Sequence, residues 1–304
     1  MEQHYSYQTA VAASESIHWR VEEIIGADRR LDFTKPFMPE SLACVEQLSF
    51  MTPYEQRTLN QIRGNAYLCF FGLVEEFILP FVVDQATPQP GVDDGYRVRS
   101  LLQFAEEEAK HIQLFKCFRE DFAHGFGLPC EVIGTAREVA RAVLDHRPLA
   151  VALACLHIEW MTQRHFVESI KDDRQLDPQF KSMLRHHWME EAQHARLDVL
   201  MIEAMAKSLA PHETEAAVEE YLEIVSHLDG LLMKQVGFDL RSWMNATRRS
   251  LNESQKNEFR AVQRRANRWT YLGSGMTHEN VLSTLESISP ATRERVEAVA
   301  RAFC

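Results

Sequence analysis

Hydrophobic positions in this chain recur at three- and four-residue steps through most of its length, and alternating runs of Val, Ile and Thr are few. That period is helical, so the expected fold is all-α. An amphipathic helix is expected near Ala13 to Ile25, followed by a loop through Lys35, Pro36 and Pro39. Thr52-Pro53-Tyr54-Glu55 reads as a helix start, with Thr52 as cap, Pro53 as first helical residue and Glu55 closing a capping box. The helix it opens should run to about Val83, with Ile62, Ala66, Cys69, Leu73 and Glu76 on one face. Pro80 should kink or end it, because its missing N–H frees the Glu76 carbonyl. Further core helices are expected over 96–126, 148–171 and 178–209, with a shorter one near 130–145. After Pro211, helices are expected to about Gly237 and over 239–250, 253–271 and 290–303. The pattern predicts a four-helix core over 52–209, with additional N- and C-terminal helices, in one domain spanning 1–304.

Polar residues inside these apolar helices are the unusual feature. Arg185 to Asp198 reads RHHWMEEAQHARLD and contains the pair Glu191-x-x-His194, with His187 one turn earlier. Positions 187, 191 and 194 share a helical face, which makes them candidate metal ligands. Phe104 to Leu114 reads FAEEEAKHIQL and holds a second pair, Glu108-x-x-His111. Glu108 to Glu191 and His111 to His194 are both 83 residues apart (191 − 108 and 194 − 111). A two-metal carboxylate site in a helical bundle needs one more Glu from each remaining core helix. Glu76 lies 32 residues before Glu108 and Glu159 lies 32 before Glu191, which repeats the 83-residue offset and selects Glu76 over its neighbour Glu75.

A mixed set of carboxylates and imidazoles suits iron or manganese, whereas zinc sites are richer in Cys and calcium sites lack His. Without metal, converging carboxylates would repel and carry a large desolvation cost. Glu107 and Glu190, each just before a ligand Glu, are expected to accept the second N–H of a ligand histidine, crosswise between the halves; the alternative is a solvent-facing charge. His187 has Phe104 as its counterpart, and the residues leave it either a third imidazole ligand or a core histidine. His157, His165 and His186 lie off the ligand faces, and Cys69 and Cys155 read as small packing residues.

Composition narrows the partners. The net charge of −11 argues against nucleic acid. Six scattered cysteines without a C-x-x-C pair suit a reducing compartment. Met1 to Ala13 lacks a cationic start and apolar core, so a cytoplasmic location is expected. The most apolar run, Leu68 to Val83, carries Glu75, Glu76 and Pro80 and reads as too short and too charged for a bilayer.

The doubled E-x(~30)-E-E-x-x-H pattern resembles the ferritin-like di-iron carboxylate proteins. The added histidine, as His187-x-x-x-Glu191-x-x-His194, resembles the p-aminobenzoate N-oxygenase family, over about residues 50–210. That resemblance implies a ferritin-like bundle and the ligand set Glu76, Glu108, His111, Glu159, His187, Glu191 and His194. It implies two Fe ions (or an Mn/Fe pair), O2 and a small organic substrate, with an aryl amine oxidised at nitrogen. An external electron donor and a homodimer are expected partners. The alternative is a di-iron desaturase or hydroxylase acting on an acyl chain, since those proteins share the doubled motif without the extra histidine. A ribonucleotide reductase small subunit would carry a Tyr where this chain has Phe115. A non-enzymatic iron-binding ferritin would lack the hundred-odd residues beyond the bundle.

Overall fold

A computed structural model describes residues 5–26, 28–88 and 94–304. Among the described residues the chain is helical, with one isolated β-bridge between Gly26 and Arg29. The short helices α1 (Tyr7–Ser14), α2 (Val21–Ile24) and α3 (Glu40–Ala43) lead into α4 (Pro53–Gln85) and α5 (Tyr96–Phe126). The short α6 (Ala136–Leu144) precedes α7 (Pro148–Arg164) and α8 (Pro178–Ser208). Then come α9 (Pro211–Thr247), α10 (Glu253–Arg268), α11 (Ser274–Met276), α12 (Glu279–Ile288) and α13 (Pro290–Ala300). Helix α4 packs chiefly on α5 and α7 chiefly on α8, and the two pairs close into a four-helix bundle.

Local sequence explains the main boundaries. Thr52 accepts from the Glu55 amide and Glu55 returns a bond to the Thr52 amide, the reciprocal cap expected there. Asp177 caps α8 through the Phe180 amide at 2.6 Å and also takes the Asp32 amide at 3.0 Å, so one carboxylate fixes a helix start and a distant loop. Helix α4 passes through Pro80 and continues to Gln85. It is longer than the apolar run in the sequence suggested and, by length and composition alone, could cross a membrane, but 72% of its most apolar window is buried inside the protein. The amphipathic helix expected near 13–25 is instead two short helices, α1 and α2. Gly237 does not interrupt α9, because burial of Val236 and Leu240 on either side outweighs its weak helix propensity. Helices α7 and α10 each end in a π-helical turn, His165–Ile170 and Trp269–Gly273.

The loop before α4 is held by side chains of that helix. Asn60 Oδ1 accepts the Phe37 and Met38 amides, and its Nδ2 donates to the Met38 carbonyl at 2.7 Å. Gln61 donates to the Phe33 and Lys35 carbonyls. Buried polar groups thereby find backbone partners where no ladder exists. Phe37, set by these bonds, stacks on Phe180 with ring centroids 5.2 Å apart. The buried apolar side chains form one cluster reaching from Trp19 to Phe303, so the helices after 210 share a core with the bundle.

His157 and His165 are buried on α7 and its π turn and are satisfied as core residues. His157 Nδ1 lies 2.9 Å from the Tyr221 hydroxyl, and His165 lies between Tyr67 and Ser274. Burial brings both below the usual histidine range, to about 4 and about 3. Helix α11 reaches this layer because Gly275 has no side chain. A Cβ there would lie 2.0 Å from His157 Cδ2 and 2.7 Å from the His157 carbonyl oxygen. Gly275→Ala is expected to lower stability by about 1–3 kcal/mol through overpacking. Urea denaturation measures it, and an unchanged midpoint would contradict the close approach.

Candidate metal centre

Each core helix delivers one part of the centre. Helix α8 contributes His187, Glu191 and His194 from one stripe, and α5 contributes Glu108 and His111; all five are at most 1% exposed. Glu159 comes from α7 and is also 1% exposed. Helix α4 delivers Glu75, which is 2% exposed.

Glu75 corrects the sequence reading, which placed Glu76 in the centre. Glu76 is exposed and belongs to the outer stripe of α4 together with Pro80 and Val83. Glu75 lies about 100° round the helix, in line with Tyr67 and Phe71 on the inward face. The related pair is therefore Glu75 and Glu159, offset by 84 (159 − 75), while the α5–α8 offset is 83. Loops join these helices, and a loop can differ by one residue without disturbing the bundle. An equal offset across loops was therefore a poor guide to register, whereas the E-x-x-H spacing lies within one helix and is fixed by it. The signal available was Pro80, four residues after Glu76 on the same face.

The side chains converge in two overlapping nests. Glu75, His111, His187 and Glu191 offer donor atoms that all lie within 4.8 Å of one another, and so do Glu108, His111, Glu191 and His194. His187 Nε2 lies 3.1 Å from Glu75 Oε1 and 2.6 Å from Glu191 Oε1. His111 Nδ1 lies 3.0 Å from Glu191 Oε1. His194 Nδ1 lies 2.9 Å from Glu108 Oε1 and 3.0 Å from Glu191 Oε2. Glu191 thus presents one oxygen to each nest. Glu159 completes the group beside Glu191, whose charge acts on it.

The internal repeat relates α4 and α5 to α7 and α8 as a pseudo-two-fold, and the outer faces of the two α5/α8 histidines follow it. His111 Nε2 lies 2.9 Å from Glu190 Oε2, and His194 Nε2 lies 2.7 Å from Glu107 Oε2. Each outer carboxylate therefore serves the histidine of the opposite half. Each is held in turn by the residue just before that histidine: Lys110 Nζ donates to Glu190 at 2.5 Å, and Gln193 Nε2 donates to Glu107 at 2.7 Å. Ser14 from α1 also donates to Glu107, at 2.5 Å. Trp19 lies parallel to the His111 ring at 6.0 Å, with Lys110 Nζ 4.1 Å from its centroid. Phe104 stacks on His194 at 3.9 Å, and Phe71 and Phe115 meet His187 edge-on at 5.4 and 5.0 Å. Phenyl rings thus wall the centre from water.

Electrostatics show how the cluster behaves without metal. Burial, then the charges of Glu108 and Glu191, push Glu75 well above the usual carboxylate range. Burial and Glu191 do the same to Glu159. Burial also opposes ionisation of Glu108, but its close approach to Glu75, His111 and His194 outweighs it and brings Glu108 down to about 2. Burial likewise opposes the charge on Glu191, and the charges of His187 and His194 outweigh it, so Glu191 falls well below its ordinary value. Burial disfavours the charged imidazoles of His111 and His194, yet the Glu191 charge raises both well above the usual range.

The donor set fits a pair of metal ions. Both Glu108 oxygens, Glu75 Oε2, Glu191 Oε1 and His111 Nδ1 are buried at the middle of the cluster, and their close approaches to neighbouring nitrogens and oxygens do not form hydrogen bonds of acceptable geometry. Buried polar atoms are normally paired, and a divalent cation is the partner that oxygen and nitrogen lone pairs converging this closely would take. Two residues near the centre were not assigned a role from sequence. Ser14 could not be, because its contact with Glu107 spans 93 residues. Asp198 continues the α8 stripe of 187, 191 and 194 and is fully buried; its spacing was the available signal.

No family model matches the chain, and no curated protein matches it. Among solved structures it is similar to R2-like ligand-binding oxidases. A Tyr-to-Phe variant with an aerobically reconstituted Mn/Fe cofactor aligns over 88% of this chain and 93% of its own, at 14% identity and a TM-score of 0.49. A Gly-to-Leu variant with an Fe/Fe cofactor aligns over 88% and 93%, at 14% identity and a TM-score of 0.44.

Two measurements test this geometry. Glu75→Ala should abolish stable binding of one Co(II) per chain, while Glu76→Ala binds metal as the wild type does; isothermal titration reads both, and the reverse ranking would restore Glu76. The raised groups must shed protons before they bind, so metal affinity should rise with pH and binding should release protons. The contributions come from Glu75, Glu159, His111 and His194, whose pKa values lie above their ordinary ones. An indicator-dye assay that shows no proton release near neutral pH would contradict them.

Proposed function

We propose that this protein is an O2-dependent dimetal oxygenase that oxidises a small organic substrate, with an aryl amine as the substrate class and nitrogen as the atom oxidised. The observation that carries the reading is the pair of buried nests sharing His111 and Glu191. Its proposed ligands are Glu75, Glu108, His111, Glu159, His187, Glu191 and His194. Three histidines fit the N-oxygenase set better than a desaturase set, and the placement of His187 Nε2 among Glu75 and Glu191 supports this choice.

Two iron ions, or manganese with iron, would supply the electrons that reduce O2. The chain's own residues do the rest. Glu107 and Glu190 accept the Nε2–H of His194 and His111, which turns each Nδ1 lone pair inward. Lys110, Gln193 and Ser14 keep those carboxylates in place. Glu191, with one oxygen toward each nest, is placed to bridge. Phe71, Phe104 and Phe115 keep water from the oxidising site. A separate reductant would supply the electrons for each further turnover.

The test begins with metal-free protein loaded with Fe(II) under argon. Two ions per chain are expected, about 3.5–4 Å apart. Oxygen is then admitted with a panel of aryl amines, and hydroxylamine, nitroso and nitro products are sought by mass spectrometry. Binding of one ion or none would remove the dimetal reading. Oxygen uptake without nitrogen oxidation across the panel would remove the N-oxygenase assignment and leave the oxidase.

A further inference from the structure

Asp198 is 0% exposed, and neither of its carboxylate oxygens has a hydrogen-bond partner. It lies one turn beyond His194 on the inward stripe of α8. It interacts electrostatically with His194, Glu108 and Glu191, and with Cys155 and Glu159 on the facing helix α7. Burying a carboxyl group without a partner is costly, and such groups in folded proteins call for an explanation.

The pseudo-two-fold shows that the bundle does not need a polar group there. The α5 counterpart of Asp198 is Phe115 (198 − 83), and the α4 counterpart of Cys155 is Phe71 (155 − 84). Phe71 and Phe115 contact each other at 5.8 Å and both meet the His187 ring. An apolar pair therefore fills this place in one half. In the other half the same place holds a carboxyl and a thiol, both fully buried. Phe71 and Phe115 flank His187, whereas Asp198 lies one turn from His194 on the same helix. The His187 flank is closed by rings, and the His194 end of the α8 stripe carries a hydrogen-bond acceptor with no partner.

We propose that Asp198, with Cys155 beside it, forms the substrate-facing wall of the centre and accepts a hydrogen bond from an N–H or O–H group of the substrate. Asp198 is then a specificity-determining residue. It favours a small ring bearing a donor and disfavours a bare hydrocarbon chain, against which its carboxyl would stay unpaired. This inference rests on reading the cluster as a dimetal centre that acts on a small molecule.

The experiment uses full-length protein loaded with two Co(II) ions under argon, so that no turnover occurs. Aniline, phenol and toluene are titrated while the Co(II) absorption is followed. Wild type should bind at least one of the two donor-bearing rings about tenfold more tightly than toluene, the value of roughly one hydrogen bond. The better of aniline and phenol tells N–H from O–H. Asp198→Leu should erase the preference while keeping two Co(II) per chain, and Asp198→Asn, which retains an acceptor, should keep part of it. No preference in wild type would overturn the proposal, and so would a preference that survives in Asp198→Leu. Loss of a Co(II) ion in Asp198→Leu would also overturn it, by making Asp198 a ligand. Failure of the oxygenase reading shows separately, as absent O2 uptake by the iron-loaded wild type.

Discussion

Ionisable groups gathered in a dry bundle core set the terms for the rest of this molecule. Glu75, Glu108, Glu159 and Glu191 meet three imidazoles at a point where no side chain is more than 2% exposed. Such a group is tolerable only when every charge has a counterpart at close range. In the metal-free state burial and the neighbouring carboxylates push Glu75 and Glu159 well above the usual carboxylate range, which reduces the charge to be balanced. The outer shell must then be rigid, since a histidine free to turn would leave a carboxylate alone. The crosswise bonds of Glu107 and Glu190 meet that need and also tie α5 to α8 through their buried faces.

The two halves share a scheme and differ where it matters chemically. Along α5 the inward stripe reads Phe104, Glu108, His111, Phe115; along α8 it reads His187, Glu191, His194, Asp198. The middle two residues are the same in both, and the flanking ones are exchanged from apolar to polar. One helix therefore seals the centre and the other equips it. The asymmetry lies in residues that a fold alone would leave apolar.

What could be read from the sequence follows from the range of the interaction. The E-x-x-H pairs and His187 lie within single helices, where the 3.6-residue period fixes their relation, and their residues do converge. The offset that points to Glu76 crosses loops, and Glu75 holds that place. The helical character of the chain was legible from periodicity, but the continuity of α9 through Gly237 and the π turns after Arg164 and Arg268 depend on packing between distant segments. Ser14 and Trp19 illustrate the same limit, since nothing near them in sequence marks them as neighbours of Glu107 and His111.

The Ser14 contact also bears on how the protein is handled. A relay of two hydrogen bonds links the end of α1 to His194 by way of Glu107. A disturbance of α1 at Ser14 therefore reaches a proposed metal ligand. An affinity tag or fused reporter placed ahead of α1 adjoins the element that carries this relay, whereas one placed after Cys304, whose side chain is exposed, does not.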